Sequence, residues 1–129
     1  MINFNRTYTA GNLTRDPELR DTKSGTKVAG IAIAMNRQWK DKDGNQQQET
    51  EFQDITAYGK QAETIGQYFK KGDPIFVEGR LKTEKWEDKE GNPRSKKIII
   101  LENFKFFNTG KKQQEEQKSV KQDDLDVGF

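Results

Sequence analysis

The sequence predicts an all-β fold with one helix: a closed barrel with extended β-hairpin arms. Three observations carry this expectation. Runs rich in β-branched and aromatic residues fill the first 107 residues, Gly, Asn and Asp clusters separate them, and a single stretch switches from alternating to helical periodicity.

Taken in order, the candidate strands are Asn5 to Asn12, Glu18 to Lys23, Thr26 to Trp39, Glu49 to Tyr58, Pro74 to Trp86 and Arg94 to Phe107. Between them lie Asp16-Pro17, Ser24-Gly25, Asp43-Gly44-Asn45 and Glu90-Gly91-Asn92, residues that accept turn dihedrals, so several neighbours form hairpins. The exception is "GKQAETIGQYFKKG", residues 59 to 72. It sets Ala62, Ile65 and Phe69 at helical spacing, with Lys70-Lys71 in the last turn and Gly72 as a stop before Pro74 opens the next strand. A single helix between the third and fourth long strands is the order expected of a five-stranded OB-fold barrel, an architecture that binds single strands and oligosaccharides across one face. A simple sandwich is the competing arrangement. The chain reads as free of internal repeats.

With 129 residues, the chain has room for one domain and a tail. Its hydrophobic fraction is 30% and its charged fraction 34%, which points to a disordered part, a large polar surface, or both. After Phe107, "NTGKKQQEEQKSVKQ" contains one aliphatic residue, Val120, too little to offset the entropy of ordering, so residues 108 to 122 are expected to be a flexible linker. The tip that follows, "DDLDVGF", is acidic. Residues 1 to 122 hold all 23 bases against 18 of the 21 acids, a net of +5, whereas residues 123 to 129 carry three carboxylates and no base. A basic body with an acidic tip points to a polyanionic partner for the body and a different role for the tip.

Several classes are excluded. Cysteine and histidine are absent, which removes disulfides, thiolate or imidazole metal sites, a cysteine nucleophile and imidazole acid–base chemistry. The carboxylates show no spacing suited to a metal-dependent nuclease. No apolar stretch approaches a membrane span, and "MINFNRTYTAG" lacks the layout of a signal peptide. The expectation is a cytoplasmic, non-enzymatic protein with no cofactor, no metal and no membrane partner.

Strand parity separates rings that fill a core from rings that do not. In Pro74 to Trp86 the odd positions Ile75, Val77, Gly79 and Leu81 form an apolar face, and Trp86 shares the other face with Glu78, Arg80, Lys82 and Glu84. In Glu49 to Tyr58, Ile55 and Ala57 read as buried, whereas Phe52 and Tyr58 are in phase with Thr50, Asp54 and Thr56. Trp39 is ambiguous: its parity matches Ile31, Ile33 and Met35, but its neighbours are Arg37, Gln38, Lys40 and Lys42. Singly, each ring is compatible with ordinary core or edge packing. Together they form aromatic planes along a basic groove, which is what an unpaired strand needs, because every base has a stacking face and every nucleotide a phosphate. Candidate phosphate contacts are Arg37, Lys40, Lys42, Arg80, Lys82, Lys85 and Arg94.

Four stretches carry a family resemblance: "GNLTRDPELR" at 11 to 20, "WKDKDG" at 39 to 44, "TEFQDITAYGKQAE" at 50 to 63 and "YFKKGDPIFVEGRLKTEKWED" at 68 to 88. In their order and spacing, residues 1 to 107 resemble the OB domain of bacterial and phage single-stranded DNA-binding proteins. The resemblance implies sequence-independent binding and protection of single-stranded DNA during replication, recombination and repair. It assigns base stacking to Trp39, Phe52, Tyr58 and Trp86, with Phe52 where many members have Trp and Tyr58 where they have Phe. It also implies a homo-oligomer, tetramer first and dimer second, although Thr7 and Thr9 stand in the first strand where aliphatic residues are common. Finally, it makes Asp123, Asp124, Leu125, Asp126, Val127, Gly128 and Phe129 a tip that docks on replication, recombination and repair proteins, departing from the family pattern at Val127-Gly128, where Pro is usual. An RNA-binding, cold-shock-like module and a protein-binding adaptor are the alternatives.

Overall fold

A computed structural model describes residues 1–107; the linker and tip expected over 108–122 and 123–129 lie outside the described residues. The six expected strands and the helix are present: β1 (Thr7–Leu13), β2 (Glu18–Asp21), β3 (Lys27–Lys40), β4 (Gln46–Tyr58), α1 (Lys60–Tyr68), β5 (Pro74–Glu87) and β6 (Pro93–Phe106). The sheet runs β1-β5-β6-β4-β3-β2, and a further β1–β3 pairing closes five of the strands into a barrel. β2 stays outside the closure, paired with β3 from Glu18↔Gly30 to Asp21↔Lys27. The fold is therefore an OB barrel rather than a sandwich.

Closure depends on β3, whose edge serves β2 along Lys27 to Gly30 and β1 at Ile33 and Ala34. There the backbones come so close that a Cβ on Gly11 would lie 2.5 Å from the Ala34 carbonyl oxygen. Alternation supplies the interior: Leu13, Ile31, Ile33, Ile55, Ile75, Val77, Ile99 and Leu101 point inward and join Ala62, Ile65 and Phe69 in one core cluster.

The helix ends earlier than its periodicity predicts. Phe69 adopts an extended conformation rather than continuing α1, although its N–H still donates to the Ile65 carbonyl at 3.0 Å. Its ring is buried and stacks on Phe106 with centroids 4.8 Å apart and planes 6° from parallel, so core packing outweighs one more helical residue. Lys70 and Lys71 consequently fall in a turn, where their amides donate to the carboxylates of Asp73 and Asp16.

Both long hairpins outrun the barrel. β3 and β4 pair without interruption from Val28↔Tyr58 to Lys40↔Gln46, so β4 begins at Gln46 rather than Glu49. β5 and β6 pair as far as Glu87↔Pro93, with a register shift between Glu78 and Gly79 that leaves Glu102 as the extra residue. Leu81 shows what outrunning means. It keeps the inward parity, opposite Ile99, yet it is 40% exposed. It lies two residues past the last β1–β5 pair, Thr7↔Gly79, and its main-chain N–H and C=O bond to the Asn5 side chain in place of a β1 neighbour. The expected apolar face of β5 thus ends at Gly79.

Candidate nucleic-acid interface

Register places most of the candidate residues on one outer face. The pairs Ala34↔Phe52, Thr56↔Ile100, Arg80↔Ile100 and Trp86↔Arg94 put the even positions of β3, β4, β5 and the first part of β6 on the same side of the sheet. Phe52 (64% exposed), Tyr58 (46%) and Trp86 (46%) share that side. Between them lie Val28, Ala32, Ile98 and Ile100, buried but outside the core cluster, which form an apolar floor. Exposed rings over an apolar floor offer planes for bases while keeping the floor dry.

Trp39 is exposed (36%), but the register sets it apart from the other three rings. It pairs with Gln47 and keeps the odd parity of Ile31, Ile33 and Met35, so it lies on the opposite side of the β3–β4 ribbon. It is exposed because the ribbon has left the barrel at that height. The Arg37 guanidinium covers its ring at 4.9 Å from the centroid.

The candidate cations divide similarly. Lys40, Arg80, Lys82 and Arg94 have the parity of the shared face; Arg37 and Lys85 have the other, and Lys42 lies in the β3–β4 turn. Three are engaged by carboxylates: Arg37 with Glu49 at 3.6 Å, Arg80 with Glu102 at 3.9 Å and Arg94 with Asp88 at 3.0 Å. Residue-by-residue charge reading missed Lys96, which stands on the shared face with its ammonium 2.8 Å from Asp54 Oδ2 and 5.8 Å from the Trp86 ring centroid. A lysine among isoleucines and serine carries no local signal. Its role depends on the parallel β4–β6 pairing, which brings together residues far apart in the chain.

The arm turns reveal a repeat that the sequence reading missed. "WKDKDGNQQ" (39 to 47) and "WEDKEGNPR" (86 to 94) adopt the same hairpin. In each, an aspartate Oδ1 accepts two backbone N–H groups, from Asp43 and Asn45 onto Asp41 and from Glu90 and Asn92 onto Asp88. In each, Oδ2 accepts a side-chain donor: Gln47 Nε2 at 3.0 Å on Asp41 and Arg94 Nε at 3.0 Å on Asp88. Gly44 and Gly91 sit at matching positions with φ of 79° and 81°, the left-handed region that the turn requires. The backbone N–H of Asn45 is the main cause holding the Asp41 carboxyl below its ordinary pKa, and that of Asn92 does the same for Asp88. These aspartates therefore act as turn clamps, and in each hairpin a Trp stands two residues before the clamp, at the root of the turn. Beside the second, Lys85, Trp86, Glu87, Pro93, Arg94 and Ser95 line an open groove of about 530 Å³.

A sequence model of the single-strand binding protein family matches residues 4–107. The chain belongs to the single-strand binding protein family. Among its relatives, the single-stranded DNA-binding protein of Wolinella succinogenes is 43% identical over 106 residues, covering 82% of this chain and 65% of that protein. The single-stranded DNA-binding protein 1 of Xylella fastidiosa is 39% identical over 114 residues, covering 88% and 82%. The chain thus spans just under two thirds of the Wolinella protein's length. Among solved structures, Plasmodium falciparum SSB in complex with ssDNA matches with a TM-score of 0.77 at 25% identity, over 84% of this chain and 98% of that one. A deletion mutant of the single-stranded DNA-binding protein of Thermus aquaticus matches at 0.71 and 28%, over 81% and 51%. No helix among the described residues is long and apolar enough to cross a membrane.

Proposed function

We propose that this protein binds single-stranded DNA without sequence preference and protects it during replication, recombination and repair, as a binding protein rather than an enzyme. The observation that carries the reading is the face on which Phe52, Tyr58 and Trp86 stand exposed over a buried apolar floor, in phase with Lys40, Arg80, Lys82 and Arg94. Each ring stacks one base, and Trp39 extends the track along the β3–β4 arm from the opposite side. The lysines and arginines neutralise phosphate. Arg37 and Arg80 exchange exposed carboxylate partners for phosphate at little cost, since such pairs are weak, whereas Arg94 keeps its Nε bond to the half-buried Asp88 and offers its other guanidinium donors.

The protein works as a homo-oligomer in the cytoplasm. β1 supports this reading, because it meets β3 only at Asn12 and Leu13 and so has edge available for another strand. Asp123 to Phe129 recruits replication and repair proteins, on a linker formed by residues 108 to 122.

The test is a titration with fluorescent oligothymidine, with duplex and the matching RNA as competitors, at several salt concentrations. The expected result is preference for the DNA single strand and an affinity that falls as salt rises. Preference for RNA would favour the cold-shock-like alternative, and binding only to duplex would overturn the proposal. Deleting Asp123 to Phe129 should leave DNA affinity equal or tighter while abolishing partner recruitment.

A further inference from the structure

We infer that Lys96 positions Trp86 and contacts phosphate, and that Asp54 competes with the phosphate for it, acting as a brake on binding; the inference rests on the single-strand reading proposed above. Asp54 lies on the shared face two residues from Phe52 and four from Tyr58, in the path a strand would follow across the rings. A bare carboxylate there repels a polyanion. Lys96 cancels it, with Nζ 2.8 Å from Oδ2, and the same ammonium lies 5.8 Å from the Trp86 ring centroid, so one cation ties β4 to the ring of β5.

Both partners are partly solvated, with side chains 46% and 40% exposed, so the pair is weak and can be exchanged. Lysine suits the exchange, because its compact charge on a flexible stem can move to a phosphate oxygen without leaving the ring. The Trp39 arm has no counterpart. Its covering cation, Arg37, comes from the same strand and pairs with Glu49 inside its own ribbon. The Asp54–Lys96 pair is therefore a point, besides Arg80–Glu102, at which this face holds a cation in reserve.

The experiment uses the full chain, fluorescently labelled oligothymidine followed by anisotropy, and a salt series. Asp54→Asn should tighten binding about two- to fivefold, the range of an exposed pair. It should also steepen the slope of log affinity against log salt by up to about 0.7, the value of one full phosphate contact on a single strand, because Lys96 then meets phosphate without a competing carboxylate. Lys96→Gln should weaken binding by a similar factor and shift the tryptophan emission of the free protein, Lys96→Arg should retain affinity, and Asp54→Asn added to Lys96→Gln should recover part of the loss. Melting curves of each variant separate these effects from loss of fold. An unchanged slope and affinity in Asp54→Asn, with the unsubstituted chain binding normally, would overturn the brake alone. Failure of the unsubstituted chain to bind oligothymidine would overturn the reading on which it rests.

Discussion

The two hairpin arms share one turn and use it differently. Asp41 and Asp88 clamp matching loops with matching bonds, and a Trp stands at the root of each. Beyond the turn they diverge. The β5–β6 arm crosses a register shift at Glu78/Gly79, and its Trp86 shares a face with Phe52 and Tyr58 under Lys96. The β3–β4 arm has no shift, and its Trp39 falls on the opposite side under Arg37. A local motif thus sets the shape of the turn beside each ring, whereas register sets which face the ring takes and what it stands beside.

The comparison breaks most clearly on binding. Trp86→Ala should cost about 1–3 kcal/mol of single-strand affinity, the range for one stacked base, and Trp39→Ala should fall at the low end of that range. Anisotropy titrations of both variants check this, and a larger loss at Trp39 would reverse the ranking of the arms. Next in size is the bulge. A Cβ on Gly79 would collide with the Ile100 carbonyl oxygen, which is backbone and cannot rotate away. Gly79→Ala should therefore cost about 1–3 kcal/mol of stability, read as a lower denaturant midpoint at unchanged slope.

The smallest effect concerns acid. Asp41 and Asp88 have folded pKa values below the ordinary 3.8, so their support for the turns is complete above 3.8 and is lost as pH falls through the lowered folded values. Amide exchange at Asn45 and Asn92 should accelerate together over that acidic window relative to barrel amides, after correction for intrinsic rates. Asp41→Ala and Asp88→Ala should each release only its own turn at neutral pH.

Much of this was legible in the sequence, and the errors share one cause. Alternation located Phe52, Tyr58 and Trp86 on a polar face because parity is a property of the strand itself. It misplaced Leu81 and left Trp39 open for the same reason. Parity reports which side of the sheet a residue takes, while burial also depends on how far the barrel extends along the strand. The helix ran long in the reading because Phe69 fits both a helical face and the core, and stacking on Phe106 decided between them. Lys96 was illegible because its meaning comes from a carboxylate on another strand. The repeated turn was present in the letters, in Trp, Asp, Lys, Gly and Asn at equal spacing, and its matched hydrogen bonds make its significance plain.

A single strand that lies across the shared face should seat a base on Trp86. The most direct measurement is the fluorescence of Trp86 in Trp39→Phe while oligothymidine is added and salt is then raised. Strong quenching that saturates with the strand and reverses with salt is the predicted result. Binding of the strand with Trp86 emission unchanged would contradict it.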